Sequence, residues 1–274
     1  MQKMHDVMQD ALRRTWAAGR RKWGMATLAV LVIAPFSVKA QASVRIKIAA
    51  ASNLKFVLAD LTSQYKQQTG VQVDVNLGAS GNLARQILQG LPVEQFISAD
   101  EERVAELAQA GLTRDAGQRY ATGRLALIVP KNSALPLAQG LAAVVRALKP
   151  GDKLAMANPA LAPYGMAAEE ALQRSGVGGL AARHKVLGEN IGQTTQFVAT
   201  GAAQAGITAL AMTTAPEIAQ ILQVLPLPAH LHAPLNQRMV LLKQASSAAA
   251  AWHRFLLSPQ AQTVFVRHGY ALPQ

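Results

Sequence analysis

The chain has 274 residues, carries 27 Lys or Arg against 15 Asp or Glu for a formal net charge of +12, and contains no cysteine. The missing cysteine excludes disulfides, thiolate metal sites and a lipid-modified N-terminal cysteine. The basic groups are scattered, without a run or an aromatic-interleaved strip, which argues against a nucleic-acid binder.

Residues 1–24 are basic, Met25 to Phe36 (MATLAVLVIAPF) is apolar, and Ala40-Gln41-Ala42 supplies small residues at the spacing a signal peptidase needs. That order describes a secretory signal peptide over residues 1–42. A membrane span is the competing reading, but the apolar core is shorter than the roughly 20 residues a bilayer requires and holds Pro35. Arg13-Arg14 and Arg20-Arg21 sit in contexts (RRTW, RRKW) that fit a twin-arginine signal poorly. Seven of the 27 basic and two of the 15 acidic side chains fall within residues 1–42, so the mature chain carries net +7. The expected product is a soluble exported protein, periplasmic in a cell with two membranes.

Alternation predicts strands at Val44-Ile46-Ile48 and Val71-Val73-Val75. Between them Leu54, Val57, Leu58, Leu61 and Tyr65 recur at helical steps, and Gly70 follows as a stop. A helix from Gly81 to Gln89, a short strand at Phe96-Ile97-Ser98 and a helix from Glu101 to Ala110 come next. At Gly123 the pattern changes. Arg124 to Val129 (RLALIV) reads as a buried strand leaving one domain for another. A second set follows: strand Leu154 to Ala157, helix Tyr164 to Arg174, strand Val186-Leu187, helix Ile191 to Thr200 and strand Gly206 to Leu210. The Pro-rich stretch Leu225 to Pro234 leads to a return strand, Met239 to Leu242, and two helices close the chain, the last opened by Ser258-Pro259. Alternating strands and helices predict an α/β fold with mainly parallel sheets. The expected division is residues 43–123 with 233–274 in lobe 1 and 124–232 in lobe 2.

Four turns run straight into helix N-termini: Ala51-Ser52-Asn53, Ala79-Ser80-Gly81, Pro163-Tyr164-Gly165 and Glu189-Asn190-Ile191. The first N–H groups of a helix have no internal partner and lie at the positive end of its dipole, so converging N-termini hold an anion with neutral donors. In open α/β sheets such turns line the ligand crevice. Singly, Ser52 or Ser80 reads as an ordinary N-cap, Asn53 as a cap of its own helix and Tyr164 as a half-buried aromatic. Two such turns in each half favour a shared anion site.

Other constellations are weaker. Gly78-Ala79-Ser80-Gly81-Asn82 only approximates a serine hydrolase elbow and lacks an evident His and acid partner. His230 and His232 read as a solvated pair rather than a metal site, and His184, His253 and His268 stand isolated. Asp100-Glu101-Glu102 reads as acids at a helix start.

The segments IAAASNL (Ile48 to Leu54), GASGNLARQI (Gly78 to Ile87), FISADEERVAELAQAGL (Phe96 to Leu112), ATGRLALIVP (Ala121 to Pro130), ANPALAPYGMAAEEAL (Ala157 to Leu172) and GENIGQTTQFVATG (Gly188 to Gly201) resemble the periplasmic molybdate-binding proteins of ABC transporters. The resemblance implies a two-lobed periplasmic binding protein fold of type II with the ligand in the interdomain cleft. It also implies a non-enzymatic monomer, without cofactor, that delivers molybdate or tungstate to a membrane permease. Molybdenum is then held only as the oxyanion, by Ser52 with Asn53 beside it, by Ser80, and by backbone donors at Tyr164 and Ile191. Some members add a tyrosine hydroxyl from the strand equivalent to Gly206 to Leu210, where this chain has Thr208-Ala209-Leu210; Asn53 or Tyr164 then compensates, or the site has one bond fewer. The alternative ligands are sulfate and phosphate.

Overall fold

The computed structural model describes residues 44–273, and the expected signal peptide lies outside them. Two five-stranded sheets form the framework. The first has the order β2-β1-β3-β10-β4, with β1 Arg45–Ala51, β2 Gln72–Gly78, β3 Gln95–Ile97, β4 Gln118–Gly123 and β10 Leu235–Leu241. The second has the order β7-β6-β8-β5-β9, with β5 Leu125–Pro130, β6 Leu154–Ala157, β7 Lys185–Gly188, β8 Ala205–Ala209 and β9 Leu222–Pro226.

The helices are α1 Lys55–Thr69, α2 Ser80–Leu88, α3 Glu102–Gln109, α4 Leu141–Ala147, α5 Pro163–Arg174, α6 Gly178–Ala181, α7 Ile191–Ala199, α8 Pro216–Ala219, α9 Ser247–Leu256 and α10 Pro259–Arg267. Helix α1 shows how local sequence sets these bounds. Val57, Leu58, Leu61 and Tyr65 bury one face, and Gly70 ends the helix at φ 73° while its N–H donates to the Lys66 carbonyl, a conformation that costs glycine least. Tyr65 then meets Trp252 of α9 edge-on, with ring centroids 5.1 Å apart, a contact worth about 0.5–1.5 kcal/mol beyond its buried area.

The sheets are mixed, not mainly parallel. β1 runs parallel to β2 and β3, and β6 runs parallel to β7 and β8. Antiparallel pairs join β10 to β3 and β4, and β5 to β8 and β9. The reversal follows from the route of the chain: it leaves the first sheet through β4, enters the second through β5, exits through β9 and returns through β10. A segment that comes back beside its own exit runs the opposite way. Gly123 pairs with Leu235, so both crossings lie side by side.

The largest apolar cluster draws on both sheets, including Ile46, Ile48, Leu125, Leu127, Trp252 and Phe265. Smaller clusters lie on single sheets, one around Phe96, Leu83 and Leu107 and one around Ile128, Val198 and Leu222.

Candidate functional site

β1 and β2 are in register up to Ala51 opposite Gly78, so their carboxyl ends finish level. Ser52 opens a 3₁₀ turn, Ser52–Leu54, that runs into α1, and Ser80 is the first residue of α2. The cap positions belong to Ala51 and Ala79, and neither helix start has a side-chain cap. The two serines are therefore not N-caps. Ser80 Oγ instead accepts the Ala99 N–H at 3.0 Å, which leaves the hydroxyl proton free to donate elsewhere.

The second sheet repeats the device. β6 and β7 end level, with Ala157 opposite Gly188. After β6 the chain turns into α5, with Pro163 at its first position and Tyr164 next. Gly165 is sterically required, because a Cβ there would lie 2.4 Å from the Ala157 carbonyl oxygen. After β7, Asn190 caps α7 by accepting the Gln193 N–H at 3.1 Å, while Gln193 Oε1 accepts the Glu189 N–H at 2.6 Å. This reciprocal cap fixes Ile191 at the first helical position. The N–H groups of Tyr164 and Ile191 have no acceptor inside their helices, and no described backbone carbonyl takes them.

All five residues expected from sequence, Ser52, Asn53, Ser80, Tyr164 and Ile191, line one cavity with Gly78, Ala79, Ala99 and Ala162. No charged side chain lines it. The centre of a water-sized sphere has about 10 Å³ of room there, about the room a single water needs. Larger cavities lie outside it; one of about 390 Å³ is lined by Arg119, Arg124, His232 and Asn236. Contacts join residues next to the cavity's lining from the two sheets: the Gly81 N–H donates to the Leu161 carbonyl at 3.0 Å, and Asn82 Nδ2 donates to Glu189 Oε1 at 2.9 Å.

A buried polar network backs the cavity. Asn53 Nδ2 donates to Gln237 Oε1 at 3.1 Å and to the Tyr270 hydroxyl at 2.8 Å. Both its amide hydrogens are spent, so Asn53 has only its backbone N–H to offer a ligand. The Tyr164 hydroxyl accepts from Gln237 Nε2 at 2.9 Å, and the Tyr120 hydroxyl lies 2.6 Å from Gln237 Oε1. Burial raises the pKa of all three tyrosines, Tyr120, Tyr164 and Tyr270, so they stay neutral in any physiological medium. Sequence reasoning missed Gln237, Tyr120 and Tyr270; no local motif marks a partner such as Tyr270, 217 positions from Asn53.

In the strand where the resemblance leads one to expect a tyrosine, Thr208 is buried and its hydroxyl meets that of Thr195 of α7 at 2.6 Å. Asn53 Nδ2 is not free to compensate, and the Tyr164 hydroxyl is turned toward Gln237.

The remaining candidates have other duties. His232 is buried, with Nδ1 2.7 Å from the Ala233 carbonyl, so it is not half of a solvated pair. Nor are the other imidazoles isolated: His268 Nε2 lies 2.9 Å from Asp60 and His253 Nδ1 lies 2.9 Å from Gln95 Nε2. No cluster of three or more potential metal ligands exists among the described residues. Glu101 joins Arg119 at 2.8 Å and Arg238 at 2.5 Å; the hydrogen bond from Arg119, aided by Arg238 against partial burial, pushes its pKa down to about 2.

Comparison with known proteins gives concordant results. Residues 46–271 match the family model for bacterial extracellular solute-binding proteins. The chain is 32% identical over 254 residues to the molybdate-binding protein ModA of Azotobacter vinelandii, covering 91% of this chain and 99% of that protein. The Rhodobacter capsulatus ModA is 33% identical over 226 residues, 81% of this chain and 86% of its own. The structure of the Azotobacter vinelandii periplasmic molybdate-binding protein superposes with a TM-score of 0.76 at 30% identity, covering 84% of this chain and 100% of that one.

Proposed function

The chain belongs to the bacterial extracellular solute-binding protein family, and we propose that it captures molybdate, and tungstate by the same chemistry, for delivery to the permease of an ABC transporter. The observation that carries this reading is the meeting of Ser52, Ser80, Tyr164 and Ile191 around one small cavity without a charged side chain. A dianion enclosed there loses its hydration and recovers it only through several fixed donors. Two serine hydroxyls and the main-chain N–H groups of helix starts are such donors. Phosphate can carry a proton at neutral pH and calls for a carboxylate acceptor, and none lines the cavity. Sulfate has molybdate's shape and charge but is smaller, leaving some donors out of reach.

In this reading the sheets are the cores of two lobes, residues 43–123 with 233–274 and residues 124–232, which rotate about the paired crossings at Gly123 and Leu235 and bury the anion between them. Residues 1–42 direct export and are removed, and the mature chain acts as a periplasmic monomer. The similarity to ModA proteins across most of the chain supports the ligand. Calorimetric titration with molybdate, tungstate, sulfate and phosphate tests it. Tight binding of the first two and weak binding of the others is expected, and equal affinity for sulfate would overturn the choice of ligand.

A further inference from the structure

We propose that Gln237, which does not line the anion cavity, is a positioning residue that latches the two halves of the site together through the Tyr164 hydroxyl; this rests on the molybdate-binding reading above.

Gln237 lies on β10 in the first sheet and is fully buried. Its Oε1 is held on that side by Asn53 Nδ2 at 3.1 Å and the Tyr120 hydroxyl at 2.6 Å. A flipped carboxamide would set Nε2 against the Asn53 donor, so the network fixes which end faces outward. The outward end is Nε2, and it donates to Tyr164 of α5, a helix that follows β6 of the second sheet, at 2.9 Å. Tyr164 also lines the cavity, and its main-chain N–H has no backbone acceptor. One residue thus carries both a ligand donor and the far end of a bond between the halves.

The crossing strand independently reserves space for that bond. A Cβ on Gly123 would fall 2.2 Å from the Tyr164 hydroxyl oxygen and 2.5 Å from Gln237 Nε2. Glycine at this position is therefore a condition of the latch, at the very residue where the chain leaves the first sheet. When an anion draws the start of α5 toward Ser52 and Ser80, the hydroxyl reaches Gln237; when the lobes part, both groups return to water and nothing is left unpaired. The bond selectively stabilises the closed state and slows release.

The test is Tyr164→Phe, which keeps the ring and the main-chain N–H and deletes only the hydroxyl. In its closed form Gln237 Nε2 is left buried without an acceptor, so molybdate affinity should fall by about 5- to 150-fold. The loss should appear in the dissociation rate, while the melting temperature of the ligand-free protein stays at the wild-type value. Gln237→Met provides a second route: it also strips Asn53 and Tyr120 of an acceptor, but in its background Tyr164→Phe should add no further increase in dissociation rate, because the shared bond is already gone. Equal loss of melting temperature with and without molybdate would mean a merely structural bond and would overturn the latch. So would an unchanged dissociation rate. A wild-type protein that binds no molybdate would overturn the functional reading as well, and binding by wild type with additive losses in the double variant would overturn the latch alone.

Discussion

The two halves of the proposed site use the same scaffold and different chemistry. On the first sheet, β1 and β2 end level and present serine side chains, Ser52 and Ser80, whose neighbours Ala51 and Ala79 hold the cap positions. On the second, β6 and β7 end level and present main-chain N–H groups, at Tyr164 and Ile191, while the Tyr164 hydroxyl is turned toward Gln237. In the groups offered to the anion itself, one half is therefore vulnerable to loss of a side chain and the other to loss of a backbone hydrogen. Residue identity is a guide to function on one side and a poor one on the other.

Ile191→Pro breaks that symmetry most sharply. Proline is well tolerated at a first helical position and removes the N–H, together with the buried isoleucine side chain, and Asn190 already has the extended backbone (φ −145°, ψ 173°) that proline favours before it. Molybdate affinity should drop by about 100-fold or more, because an anion oxygen loses its donor in a buried site. Ile191→Val keeps the N–H; it should bind almost as wild type and cost only about 0.5–1.5 kcal/mol of stability. If the valine variant binds as poorly as the proline variant, the isoleucine side chain matters and the contrast fails.

On the first sheet, Ser80→Ala should cost roughly 5- to 30-fold in affinity, or about 1–2 kcal/mol. It should also destabilise the ligand-free protein by about 1–3 kcal/mol, because the Ala99 N–H loses its acceptor. Thermal melts with and without molybdate separate the two effects. Unchanged affinity with lowered stability would confine Ser80 to structure.

The smallest effect belongs to a charged cluster outside the cavity. Glu101 has a folded pKa lowered to about 2 from 4.5, so the stability it contributes is present above pH 4.5 and is lost as pH falls through about 2. Its partly exposed arginine partners limit that contribution to about 1 kcal/mol. Glu101→Gln should flatten acid unfolding within this window and leave molybdate affinity at neutral pH unchanged. A large loss of affinity would mean that the binding field is charged after all.

Much of this contrast was legible in the sequence because it rests on local signals. The four turns each follow a strand and precede a helix, and the strand read at Leu154 to Ala157 has the observed bounds. The one-residue difference between a serine that caps and a serine that opens a helix was not legible. Geometry alone decides it. The stretch Leu225 to Pro234 reads as a Pro-rich connector, yet its first two residues belong to β9, and Pro226 ends that edge strand, where a missing N–H is tolerated. Strand β4 (QRYATG) has no apolar alternation and exists through its pairing with β10, which begins at Leu235 instead of the expected Met239. Helix α4 follows Gly140 at φ 89° and was not anticipated. The network around Gln237 depends on side chains brought together from distant segments, and no window along the chain contains it.

The central claim is that one anion is held by both halves at once, and small-angle scattering of the purified protein tests it most directly. Saturating molybdate should lower the radius of gyration of the wild type, since hinge closure compacts two lobes at constant mass, and should leave Ile191→Pro at the ligand-free value at the same molybdate concentration. Identical curves for the wild type with and without molybdate, at a concentration where calorimetry shows it bound, would contradict a site shared between the two sheets.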